Sequence, residues 1–170
     1  MEPKSYSAPK GRFVIIITFL LVVVAFVMLY FGVNTYFASG AYVQFFPVGI
    51  LFIVLVVSYL MSSTGYSISE KELNIIHPIG AKTLALEDIK SALEINKSDI
   101  MWSLRTFGVG GVFGFYGKFY NRKFGRMNFY MSQYKNLILI ETQSGKKLVI
   151  SPDKLELLDD LNRYLNQARQ

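Results

Sequence analysis

The chain has no cysteine and a single histidine, His77. A disulfide framework and a thiol nucleophile are thereby excluded. A His-rich metal site is excluded too, and a zinc site built from carboxylates alone runs against the metal's taste for nitrogen and sulfur ligands. Charge is also missing, but locally. No Asp, Glu, Lys or Arg occurs from Phe13 to Ser62, and no acid occurs from Met101 to Ile140. The first gap divides the chain into an apolar membrane segment and a water-soluble remainder. The second gives one stretch of that remainder a positive field.

What fills the first gap is two apolar runs. "FVIIITFLLVVVAFVMLYFGV" covers residues 13–33 and "AYVQFFPVGILFIVLVVSYLM" covers residues 41–61. Each is about 30 Å long as a helix, the thickness of a bilayer's hydrocarbon core. The first run exceeds the h-region of a signal peptide, and a second follows at once. The sequence thus predicts a transmembrane hairpin over 13–62, with residues 1–12 as a cytoplasmic tail and 63–170 as a cytoplasmic domain. Bases flank the hairpin on both sides, whereas its turn, "NTYFASG", carries none. The positive-inside rule then puts both termini in the cytoplasm and the turn outside. No ionisable group lies in either span, which argues against transport by this chain alone. Thr18, Gln44 and Ser58 are the polar side chains offered for helix–helix contact. The hairpin reads as an anchor and as a possible site of homo-oligomerisation.

Past Ser62 the pattern becomes short alternating runs. "GYSIS" and "ELNIIH" flank a polar turn, "KTLAL", "IKSALEI" and "NFYMS" follow, and "NLILIET" and "KLVIS" form a hairpin turned by Gly145. The short connections predict a mostly antiparallel sheet. "SPDKLELLDDLNRYLNQ" then switches to helical spacing, with Ser151 as N-cap, Pro152 at the first helical position and Asp159-Asp160 on a solvated face. The fold class is α+β: the membrane hairpin, then about seven strands and a C-terminal helix. This is the pattern of a pleckstrin-homology-like (PH-like) antiparallel barrel or sandwich. A generic sheet crossed by a helix is the physical alternative.

Two blocks carry a resemblance to a known family. They are "RTFGVGGVFGFYGKF" from Arg105 to Phe119 and "NLILIETQSGKKLVISP" from Asn136 to Pro152. From about Tyr66 to Leu161 the chain resembles the bacterial PH-domain proteins of the membrane-anchored kind. The resemblance implies a PH-like fold at a bacterial inner membrane and little about activity. The first hairpin departs from inositide-binding PH domains. It reads "SISEKELNI", with Lys71 between two glutamates, so inositide binding in the usual pocket is not supported.

The glycine-rich stretch admits several readings. As a phosphate cradle it lacks the Gly-Lys-Ser/Thr of a P-loop, and Phe113 stands where a dinucleotide fingerprint needs its third glycine. As a membrane-contacting loop, Arg105, Lys118, Arg122, Lys123 and Arg126 supply attraction to anionic lipid while Phe113, Phe115 and Tyr116 insert. As architecture, glycines serve where backbones approach or bend, and the aromatics are core. Nucleic-acid binding would use the same mixture but does not suit a membrane-tethered domain. Trp102 reads as a core or interfacial side chain and His77 as a strand-end residue. No nucleophile–base–orienter set can be assembled, and no cofactor is called for. The expected function is a non-catalytic module that binds a protein partner or anionic lipid headgroups at the inner face. A small enzyme for an anionic substrate and a structural subunit of a membrane complex are the alternatives.

Overall fold

The protein is described from a computed structural model covering residues 3–167. Two apolar helices pack against each other, α1 (Arg12–Ser39) and α2 (Phe45–Leu60). Below them lie two sheets. One has the order β1-β2-β3-β4, with β1 Lys4–Ser7, β2 Gly65–Ile68, β3 Glu72–Ile76 and β4 Ala81–Ala85. The other is six-stranded, β5-β9-β10-β8-β7-β6, with β5 Ile89–Ile95, β6 Leu104–Gly110, β7 Phe115–Asn121, β8 Gly125–Met131, β9 Leu137–Thr142 and β10 Lys147–Ile150. A single turn of helix, α3 (Lys97–Ile100), joins β5 to β6, and α4 (Glu156–Gln167) ends the described chain. All pairings are antiparallel except β10 with β8.

The six-stranded sheet has a core on each face, which is why β9 is apolar at successive positions rather than alternate ones. Ile138 and Ile140 face the four-stranded sheet and meet Tyr66, Ile68, Leu73 and Ile75, with Leu157, Leu161 and Leu165 of α4 closing that core. Leu137 and Leu139 face the other way, among Phe115, Phe119, Met127, Phe129 and Val149. Val14, from the first turn of α1, and Ile100 of α3 cap this second core. Hence α1 is seated in the domain before it leaves it.

The structure corrects the sequence reading in four places. Residues 1–12 are not simply a tail, because Lys4–Ser7 forms β1 and pairs with Gly65–Ile68. The helix of the first apolar run continues through the expected turn to Ser39. There Asn34, Thr35 and Ser39 donate to carbonyls four residues back, all at 2.9 Å, so polar side chains satisfy themselves within the helix. The second helix is correspondingly shorter, 16 residues or about 24 Å, whereas α1, at 28 residues, is long and apolar enough to cross a membrane. Finally, α4 starts at Glu156 and Ser151 does not cap it. The buried Ser151 hydroxyl instead accepts the Ser132 N–H at 2.9 Å. Asp160 is not solvated either. It is buried, accepts a short hydrogen bond from the Tyr6 hydroxyl and pairs with Lys4 at 2.6 Å.

Candidate functional site

The glycine-rich stretch folds as the β6–β7 hairpin, and its glycines are architecture. Gly108 and Gly117 face each other across the pair. Their φ angles are +112° and +113°, and a Cβ on either would sit 2.2 or 2.3 Å from a carbonyl oxygen of the opposite strand. No side chain fits there. The turn is closed by Gly111 N–H donating to Gly114 O at 2.9 Å, which uses that N–H within the hairpin rather than for an anion.

The tip of this hairpin is wedged against the feet of both apolar helices. Phe113, at φ +53°, donates its N–H to Thr18 Oγ1 at 2.9 Å and sets its ring edge-on to Tyr59 at 5.4 Å. Phe115 is buried in the second core, stacked on Phe13 and tilted against Tyr134. Tyr116 points to the opposite face and is buried against Ser58 of α2, and that burial raises its hydroxyl pKa. Thr18 and Ser58, polar side chains that the sequence offered for helix–helix contact, therefore serve the domain instead. Gln44 packs by its Cβ, with Phe45, beside Gly32. Phe115 and Tyr116 are not free to insert into a membrane, because side-chain alternation along β7 turns one into each buried face.

The five bases do not converge. Arg105 lies on the face of Phe119, beside Gly110. Lys118 and Arg126 lie on the opposite face and line a groove of about 520 Å³ with Thr106, Asn128, Lys146 and Lys147. Arg122 and Lys123 border a recess of about 360 Å³ with Trp102, Leu104 and Tyr120. Lys123 is bonded to Asp99, which holds the Asp99 carboxyl below its usual range together with the Asn96 N–H.

The features that sequence reasoning missed are apolar and exposed. Trp102 is 83% exposed, Leu104 71% and Phe107 75%. Leu104 and Phe107 pair with Tyr120 and Lys118 respectively, so they share the face of Lys118 and Arg126. β6 is an edge strand, and among the described residues no further strand pairs with its outer side. The available signal was the alternation of apolar and basic residues along β6 and β7, hidden by reading every aromatic there as core or lipid contact.

Residues 64–165 match the family described as the bacterial PH domain. No curated protein and no solved structure matches the chain. The matched residues take in β2 to β10 and most of α4, the whole of the two-sheet body except β1. On that ground the chain belongs to the bacterial PH domain family.

Proposed function

We propose that this protein is a membrane-anchored, non-catalytic docking module that binds an acidic, apolar-studded segment of a partner protein at the inner face of a bacterial membrane. One observation carries the docking part. Among the described residues past Ser62, seven large apolar side chains are exposed, and five of them, Met101, Trp102, Leu104, Phe107 and Tyr120, fall within twenty residues. Contiguous exposed apolar surface marks interaction sites, and aromatic residues with Arg are what protein interfaces concentrate. The bases of the same face, Lys118 and Arg126 with Lys146 beside them, set the charge of the partner.

The anchor rests on α1 and on the pairing of β1 with β2. If α1 crosses, the chain must return, because residues on either side of the helices lie in one sheet. α2 is the segment that brings it back. Its 16 helical residues are extended by the apolar turn before it, in which Phe45 N–H bonds Tyr42 O at 3.1 Å. Both termini then lie on one side, and the flanking bases favour the cytoplasm as that side.

The docking reading is tested with the full chain in mild detergent against a library of extended peptides. Enrichment should favour acidic sequences with aromatic or aliphatic residues. Combining Leu104→Ser, Phe107→Ser, Lys118→Gln and Arg126→Gln should abolish it at unchanged melting temperature. Enrichment without acidic character, or equal enrichment by the variant, would move the site elsewhere. Self-association lost in the same variant would instead make a second copy the occupant.

A further inference from the structure

A second cationic recess lies where α1 begins, and none of its bases belongs to the β6–β7 hairpin. It has a volume of about 550 Å³ and is lined by Lys10, Arg12, Lys97, Gln133, Tyr134 and Lys135 together with the foot of α1. Its four bases come from three separate parts of the chain: the entry to α1 (Lys10 and Arg12), the α3 turn, and the β8–β9 connection. No carboxylate lines it, and among the described residues none of the four is in a salt bridge. Lys10 donates to Ser63 O at 3.0 Å, which holds its ammonium between the start of α1 and the end of α2. Lys97 sits over the Tyr134 ring, 5.4 Å from its centre. The backbone beneath is fixed by Gly11 N–H donating to Ser132 O at 2.8 Å.

A recess lined by four bases and no carboxylate favours an anion over a cation. A phosphate offers oxygens that both ammonium and guanidinium groups can bond, the guanidinium in bidentate fashion. The position decides which phosphate. The recess opens beside Phe13 and Val14, the first apolar residues of α1, so on the anchored reading it stands at the depth of the headgroups. We propose that this recess binds the phosphate group of an anionic phospholipid and fixes the depth and tilt of the domain against the bilayer. The inference rests on the membrane-anchored reading but not on the docking face. It uses none of the residues of the β6–β7 hairpin apart from the ring of Phe115 in its wall.

The experiment uses the full chain in nanodiscs of phosphatidylcholine with a minor fraction of phosphatidylglycerol, and counts the lipids that stay with the protein after transfer to neutral detergent. The wild type should retain phosphatidylglycerol in preference to phosphatidylcholine. Changing Lys10, Arg12, Lys97 and Lys135 to Gln should cut that preference by about tenfold or more, each base near anionic lipid being a sizeable contribution. Lys118→Gln with Arg126→Gln should leave it unchanged. Equal melting temperatures show that the variants are folded. A wild type without preference, or a four-base variant that keeps it, overturns the proposal. Displacement of the lipid by millimolar inorganic phosphate overturns it in favour of a soluble anion. Alkaline extraction of native membranes is the separate control. A chain that washes off refutes the anchor itself, and a chain that stays but shows no lipid preference refutes only the recess.

Discussion

Gly108 and Gly117 are held by geometry that no other residue reproduces. Gly108→Ala places a Cβ 2.2 Å from Tyr116 O at φ +112°. The strands must part, and a loss of about 3 kcal/mol is expected, read as a lower melting temperature of the full chain in mild detergent. An unchanged melt would mean that the two strands are not in this register. Asp160 makes a second prediction. Burial alone would raise its carboxyl pKa, but the hydrogen bonds from Lys4 and Tyr6 outweigh that and hold it below the ordinary 3.8. The folded state thus binds fewer protons than the unfolded one in that window. The stabilisation is complete above the unfolded value and is lost as pH falls through the folded one. Asp160→Asn should melt lower than the wild type at neutral pH, and the gap should close below about pH 4. A gap independent of pH would show that the carboxylate's charge is not what Lys4 and Tyr6 read. Neither role is legible in the sequence. "LLDDL" looks like an ordinary charged helix face, and only the arrival of β1 from the other end of the chain buries the second aspartate.

At the level of elements, what the sequence displayed best was local. The apolar runs and turn of the β9–β10 hairpin, the leucine face of α4 and the two continuously apolar helices are each legible over their own length, so their identity needs no distant partner. β1 is the opposite case. "KSYS" buries one side chain, Tyr6, and is a strand only because β2 lies beside it. The glycine-rich hairpin falls between. Its glycines signalled close backbone approach, but its destination, the feet of α1 and α2, depends in part on Thr18, a hydroxyl-bearing side chain inside an otherwise apolar helix. Thr18→Val removes the acceptor of the Phe113 N–H while keeping the shape of the side chain. A loss of about 1 kcal/mol is expected, together with faster hydrogen exchange at residues 111–114. If exchange there is unaltered, the wedge is held by packing alone.

For the whole molecule, the reading of an anchor predicts an even number of crossings. A reporter fused after Gly40 should be active on the outer side and one fused after Gln170 on the inner. Reporters active on the same side at both positions would be incompatible with the pairing of β1 with β2 in a chain whose α1 crosses the membrane. That pairing was beyond the reach of a sequence reading because it joins residues on opposite sides of more than fifty uncharged ones, and no local pattern reports it.

The same pairing makes the two helices an insertion into what is otherwise a single β-hairpin, since Ala8 N–H already reaches Thr64 O at 3.1 Å. This fixes an order of events during synthesis. β1 is the first strand to leave the ribosome, yet its partner emerges only after both helices have been made, and Tyr6 finds Asp160 only 154 residues later. Non-local closures of that kind are slow. Until then the first strand has no sheet to join. Completion of the two-sheet body therefore waits on the helices: a chain in which α1 and α2 do not fold back as a pair leaves β2 with an open edge and Asp160 without Lys4 and Tyr6.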